Sequence, residues 1–579
     1  MPSTDFWEYF EFNHVIMAKV ANGIQSFVNL FGDYQARNPD SAARATSPHT
    51  AAIVIGIISC LALAPVPEPS TIEVLFGYGI LNFVYLGTLL MVQADYSTIL
   101  EYWLLPNLTY LVTCTIITVV GRLLLSSLST FPGPKRAALS NYWMATKLGN
   151  GTFSKTVKGL HKKYNAAVIR TGPNELSVND AEAIVKIYGE NYQRGPFYEG
   201  GKMRGATSIR ETRSHYHHTI WRRIWDAAFI PTELKYYAGE TDIAIFGLLK
   251  LLKKQNGEEV NCTKVIDEFA LDLTAQLTFG EDAGIQDGTG DEDYVGAIKR
   301  YLQWLGFYGT MRNLVQILGY FRERKPVNDF CRKGERLLID RQKRGASSRD
   351  ITSHLLEKDE ETGRKFTVPR QLAANTHLSI LMGAATGTTI TQTLRTLAKQ
   401  KDVQKKLQSE IDAHVRSGGD LSVDSIKSLP YLNGVINEAL RLHNPLPTGV
   451  HVTIPATGLD MGIYKLPAHA QVYIPVLTIM TNEKYFPQAE AFIPERWTDE
   501  KAELVADKRA FIPWGYGTHA CAGKQLALNE MRATIARVVR EFEIELGQTN
   551  DDKKWESKWK DYSMVTLGEC MLKFKSRKV

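Results

Sequence analysis

Hydrophobic positions divide the chain into two unlike parts. Residues 45–67 and 102–121 contain no Asp, Glu, Lys or Arg, and residues 71–93 contain only Glu73. Each window approaches the roughly 20 residues that a helix needs to cross the hydrocarbon core of a bilayer. The pattern therefore predicts an N-terminal membrane region over residues 1–130 with two or three transmembrane helices. The tightest apolar run of the first window, residues 51–64, is short for a span and on length also fits a signal-peptide core or a buried helix, but it lies too far from Met1 for an ordinary signal peptide. Pro106 interrupts the third window, a break that neighbouring helices tolerate inside a membrane.

Phe131-Pro132-Gly133-Pro134 follows, and residues 131–140 read as a stiff proline-rich hinge, because proline fixes φ and removes a backbone donor. Arg122, Lys135, Arg136 and Lys147 form the first basic cluster beside an apolar segment, which places the following domain on the cytosolic side. From residue 141 to residue 579 the periodicity is mainly helical. Short strand-like runs occur near 167–178, 471–476 and 541–546, and loops are predicted over 281–293 and 344–349. The fold class is mainly α with a minor β part.

Composition changes this picture little. Apolar residues are 44% and charged residues 22%, which is ordinary for a chain with a large core. The net charge of +6 is mild and its lysines and arginines are dispersed, so nucleic acid is not an expected partner. Six cysteines without a CxxC pair argue against a disulfide framework or a structural zinc site.

Candidate chemistry concentrates at Trp514-Gly515-Tyr516-Gly517-Thr518-His519-Ala520-Cys521-Ala522-Gly523. A glycine-bearing loop delivers Cys521 to the start of an amphipathic helix, where amide donors and the helix dipole favour a thiolate. A buried structural cysteine is the alternative reading of these residues alone. Upstream, Glu438-Ala439-Leu440-Arg441 puts two opposite charges on one helix face, Asn444-Pro445 ends that helix, and Arg496 lies in Phe492-Ile493-Pro494-Glu495-Arg496-Trp497.

These segments, in this order and spacing, resemble the cytochrome P450 family, whose haem loop usually reads Phe-x-x-Gly-x-Arg-x-Cys-x-Gly. Trp514 stands for the phenylalanine and His519 for the arginine. The resemblance covers roughly residue 131 to the C-terminus and implies the cytochrome P450 fold preceded by the membrane helices. It implies haem b (iron protoporphyrin IX) with Cys521 as its axial ligand, Trp514 beside the sulfur, and a buried network of Glu438, Arg441 and Arg496. It also implies His218, Arg222 and His519 as partners of the haem propionates. The arginine that usually follows the Glu-x-x-Arg helix is absent, and His451 is the substitute in that stretch.

The family's central helix carries an acid followed by threonine beside the oxygen-binding face. Here it reads Ala384-Ala385-Thr386-Gly387-Thr388-Thr389, which puts Thr388 in the threonine's place and Gly387 in the acid's. The implied function is a monooxygenase of the fungal microsomal, biosynthetic type. It would draw electrons from NADPH through NADPH-cytochrome P450 reductase, act on a hydrophobic small molecule, and sit in the endoplasmic reticulum membrane with the catalytic domain facing the cytosol. Lys524 and Arg532 are candidates for steering an acidic reductase, and residues near Phe197 to Met203, Ala384 and Leu446 for facing substrate. Two other readings stay open: a haem-thiolate isomerase, dehydratase or peroxide-using enzyme, motivated by Gly387, and a membrane haem sensor or carrier.

Overall fold

A computed structural model describes residues 48–63, 71–91, 93–311, 314, 325–345, 349–357, 363, 366 and 368–578. The chain divides into two compact units, Met1–Ser129 and Thr130–Val579.

In the first unit the apolar windows are helices. Val74–Met91 and Tyr96–Leu125 are long and apolar enough to cross a membrane, with mean hydropathy of 1.7 and 1.9. Pro48–Leu63 is a shorter apolar helix, and the ends of its predicted window lie outside the described residues. Pro106 does not break the third helix. A π turn at Leu100–Leu104 precedes it and absorbs the backbone bond that proline cannot make. Large apolar side chains such as Phe83, Leu61 and Leu125 point outward. Some polar groups pair between helices, as in the Tyr78 hydroxyl donating to Asn107 Oδ1 at 2.6 Å.

The second unit is mainly helical with small sheets. Val168–Gly172, Glu175–Val178, Gln471–Tyr473 and Val452–Thr453 form one sheet in that order, and the inner pair is parallel. The strand-like run over 471–476 stops early because Pro475 cannot donate to a ladder, and the helix Val476–Met480 follows. The expected hinge is docked on this unit. Arg170 N donates to Pro132 O at 2.8 Å, a Cβ on Gly133 would stand 2.3 Å from Arg170 O, and the helix Lys135–Leu139 buries Ala137 and Ala138.

The central helix Pro369–Lys399, 31 residues long, packs against Cys262–Phe279 on one side and Lys524–Glu541 on another. Its small residues set the first of these approaches. A Cβ on Gly383 would meet Thr274 Oγ1 at 1.8 Å, and one on Gly387 would meet Ala270 Cβ at 2.8 Å. Of the loop predicted over 344–349, residues 346–348 lie outside the described residues.

Candidate active site

The loop before the helix Lys524–Glu541 is fixed from several directions. Gly515 and Gly517 adopt φ of 72° and 68°, and a Cβ on Gly517 would lie 1.7 Å from Tyr188 O, so only glycine fits there. Cys521 N donates to Trp514 O at 2.8 Å, Asn444 Nδ2 to Pro513 O at 3.1 Å, and Arg222 Nη1 to Ala520 O at 2.6 Å. The result is a rigid turn that presents one thiol. The Cys521 sulfur is open to a cavity and enclosed elsewhere. Burial raises its pKa and outweighs the Gly523 amide, Arg222 and Lys524, which all favour the thiolate. The sign expected for the helix start is therefore present, but smaller than the desolvation cost.

Behind the loop, Glu438 accepts from Arg441 Nε and Nη2 at 2.8 Å each, from Arg496 Nε at 2.9 Å, from Trp497 Nε1 at 2.9 Å and from Ile493 N at 3.0 Å. Glu438, Arg441 and Arg496 are all buried. The arginines spend their other donors on the carbonyls of Met480, Ala489 and Ala491, and of Pro487, Gln488 and Leu504. One carboxylate thus organises the whole stretch that leads to the cysteine loop. Trp497 belongs to this network, and sequence spacing gave no signal for it.

The cavity has a volume of about 330 Å³, and its wall is mostly apolar, with Leu378, Met382, Leu440, Val476 and Leu526 among its residues. Cys521 and Trp514 line it. So do His218, Arg222 and His519, and His519 Nδ1 lies 3.3 Å from His218 Nε2. Burial first, then the charges of Arg194 and Arg222, holds His218 at about 4. Burial and Arg194 hold His519 lower still.

Arg194 is the residue that sequence reasoning missed. It lines the same cavity, is buried, and its Nε has no acceptor among the described residues, whereas the neighbouring Arg210 is paired with Glu211 at 2.9 Å. A buried guanidinium with an orphaned donor requires an anion. Arg194, Arg222, His218 and His519 on one cavity, with an open thiol in the same wall, fit the two propionates and the iron of a haem.

His451 is not part of that wall. Its ring is stacked between Phe197 and Tyr473 at centroid distances of 4.6 and 4.4 Å, with Nδ1 at 3.3 Å from Glu175 Oε2. The reason is that its strand braces another loop. Gly195 N donates to His451 O at 2.9 Å, and Thr453 N donates to Gln193 O at 2.8 Å. The strand therefore positions Arg194 where its own side chain was expected. An isolated arginine before Gly195-Pro196 has no periodicity that could have exposed it.

The central helix also turns differently from the expected register. Its cavity-facing residues are Leu378, Ser379, Met382, Gly383, Ala385, Thr386 and Thr389. Thr388 is buried outside that set, and its hydroxyl donates to Ala384 O at 3.0 Å. Gly387 faces Ala270 on the neighbouring helix, so it is a packing glycine and not a substitute for a cavity acid. Two residues along a helix is a rotation of roughly 200°, which is why Thr386 faces the cavity and Thr388 does not. All three regions expected to face substrate reach the cavity, through Phe197 and Tyr198, through Ala385 and Thr386 beside Ala384, and through Leu446, while Met203 and Ala384 themselves do not line it. Arg532 is half-buried and donates to Asn433 Oδ1 at 2.8 Å, so the basic surface near the loop rests more on Lys524.

Residues 134–573 match the family model described as Cytochrome P450. A cytochrome P450 monooxygenase of Eupenicillium brefeldianum, orf5, is 29% identical over 468 residues, covering 79% of this chain and 93% of the relative. The tryprostatin B 6-hydroxylase of Aspergillus fumigatus is 28% identical over 464 residues, covering 77% and 80%. The crystal structure of the cytochrome P450DA heme domain superposes with a TM-score of 0.65 at 16% identity over 77% of this chain and 98% of that one, a likeness of fold.

Proposed function

Because the chain belongs to the cytochrome P450 family, as a fungal-type monooxygenase, we propose that it takes electrons from NADPH through NADPH-cytochrome P450 reductase and oxidises a hydrophobic small molecule in biosynthesis. The observation that carries this reading is a single cavity that combines an open thiol, an apolar wall and a cationic pole with an orphaned guanidinium donor. Haem, held by the Cys521 thiolate, would supply the binding and reductive activation of dioxygen.

The protein's part is positioning. Cys521 would ligate the iron, and the Gly515 to Gly517 turn and the Glu438 network hold its loop in place. Arg194 and Arg222 would pair with the propionates, with His218 and His519 as further hydrogen-bonding partners. The apolar walls exclude water and select a hydrophobic substrate. The apolar helices of the first unit support an anchor in the endoplasmic reticulum membrane, and the basic residues after them support a cytosolic catalytic unit. Gly387, which motivates the reading of a haem-thiolate isomerase, dehydratase or peroxide-using enzyme, packs against Ala270, and the residues that the central helix turns to the cavity include no acid, so turnover without NADPH or reductase is what separates that reading from the monooxygenase.

The deciding experiment is the absorption spectrum of the reduced, carbon-monoxide-bound protein, wild type against Cys521→Ser, followed by turnover with NADPH and reductase. A strongly red-shifted band that Cys521→Ser abolishes is expected. A haem-loaded wild type without that band overturns the ligand assignment, and product formed at full rate without NADPH or reductase overturns the electron source.

A further inference from the structure

The polar groups of the cavity do not all belong to the cysteine loop and the cations around it. Arg210 and Ser563 line it as well, and they arrive together on two loops that are far apart in sequence. Arg210 Nη2 donates to Ser563 Oγ at 3.4 Å, and Arg210 Nη1 donates to Glu211 Oε1 at 2.9 Å.

Both loops are fixed from behind. Ile209 N donates to Asn375 Oδ1 at 3.0 Å and Trp225 Nε1 to the same oxygen at 3.1 Å, which ties residues 208–211 to the central helix and to His215–Ala227. Ser208 Oγ donates to Glu211 Oε2, so the carboxylate beside Arg210 is itself held. Ser563 occupies the turn between Lys560–Asp561 and Val565–Thr566 with φ of 74°, a strained value for a residue with a side chain. The buried Asp561 secures that turn by accepting from Ser563 N at 3.0 Å and from Thr448 Oγ1 at 3.2 Å.

From this geometry we infer that Arg210 and Ser563 form the substrate-reading pole of the cavity, and that the substrate is an uncharged hydrophobic molecule carrying a carbonyl-type oxygen. The inference rests on the reading above that this cavity takes a hydrophobic small molecule.

The donors point to an acceptor. A guanidinium has five N–H donors, and among the described residues the Arg210 side chain uses them only on Glu211 and, across a long 3.4 Å, on Ser563. The Ser563 hydroxyl accepts that bond and donates to no described residue. Arg210 Cζ lies 5.6 Å from the Tyr198 ring centroid, a contact that engages the guanidinium face and leaves its N–H edge free. A carbonyl oxygen near the two groups would accept from both.

The charge balance selects an uncharged acceptor. Glu211 is 1% exposed and neutralises Arg210, so the pole offers donors without net charge, and a carboxylate placed there would face the Glu211 carboxylate. The same balance separates Arg210 from Arg194, whose Nε has no described acceptor and which therefore suits a propionate.

Equilibrium dialysis of the full-length, haem-loaded protein, with the same detergent on both sides, tests this with three probes built on two phenyl rings: diphenylmethane, benzophenone and the anion diphenylacetate. No electrons are needed. Benzophenone should bind the wild type about tenfold more tightly than diphenylmethane, and diphenylacetate no more tightly than benzophenone. Arg210→Met should bring benzophenone and diphenylmethane to within about twofold of each other, without speeding the transfer of haem to an apoglobin. Ser563→Ala should lose part of the preference. Glu211→Gln leaves the Arg210 charge unbalanced and should raise the affinity for diphenylacetate about tenfold.

A wild type that binds benzophenone no better than diphenylmethane, or binds neither, overturns the proposal. So does a wild-type preference for diphenylacetate over benzophenone, which would make the pole an anion site. Faster haem loss in Arg210→Met would assign that guanidinium to the haem and overturn it as well. If Arg210→Met does not load haem, Glu211→Gln decides, and an unchanged affinity for diphenylacetate sinks the idea. NADPH consumption with reductase is measured separately: its absence alongside an intact binding preference counts against the monooxygenase reading and not against the pole.

Discussion

The backbone N–H of Gly195 donates to the carbonyl of His451 across 2.9 Å, and this bond holds the adjacent Arg194 in the wall of the cavity. His451 supplies the brace, and Arg194 supplies the charge.

Arg194→Leu should release haem about tenfold faster or more, since a charge-assisted hydrogen bond is worth roughly 1.5–3 kcal/mol. His451→Phe should leave that rate nearly unchanged, because its ring stacks on Phe197 and Tyr473 and faces Glu175, outside the cavity wall. Transfer of haem to an excess of an apoglobin measures both. Equal effects from the two variants would contradict this division.

Glu438→Ala leaves two buried guanidiniums without their shared carboxylate, and should cost roughly 3–5 kcal/mol. Glu438→Gln keeps the shape but not the charge and should be only partly better. Chemical denaturation of the haem-loaded protein reports the difference.

On the central helix, Gly387→Asp should fail as a repair of the missing acid. Its Cβ would meet Ala270 Cβ at 2.8 Å, and its charge would face packed helix. Overpacking alone costs about 1–3 kcal/mol. Thr388→Val removes one bond to the helix's own backbone and should cost about 1 kcal/mol without changing peroxide release. Thermal unfolding and peroxide assays of the pair check both statements.

His161 is buried between the carbonyl of Ala166 and the hydroxyl of Ser177, at 2.8 and 2.9 Å. Burial holds its pKa at about 4, against 6.5 for an ordinary histidine. The unfolded chain therefore binds its proton first as pH falls, so this contribution to stability is intact above about 6.5 and is lost from there towards 4, at up to about 1.4 kcal/mol per pH unit. His161→Gln should flatten the acid limb of stability against pH, measured by denaturant midpoints. An unchanged slope would refute the assignment.

Much of this could be read from the chain, and the limits follow from geometry. Local frames with fixed chemistry were legible: the cysteine loop with its two positive-φ glycines, the Glu438 and Arg441 pair, and the apolar helices. Helix phase was not. Thr386, Thr388 and Thr389 are alike in type, and which of them faces the cavity depends on where Gly383 and Gly387 press against Thr274 and Ala270, a contact more than 100 residues away in sequence. Arg194 escaped notice for the same reason. A lone arginine in a loop gains meaning only when the fold brings it to a shared cavity.

The docking of residues 132–139 on the first strand of the catalytic unit bears on how the enzyme can be handled. A soluble version made by deleting the apolar helices should begin no later than Phe131. A cut at residue 140 would expose the edge of Val168–Gly172 and strip Ala137 and Ala138 from beside it, so a trim made there would produce an aggregating enzyme.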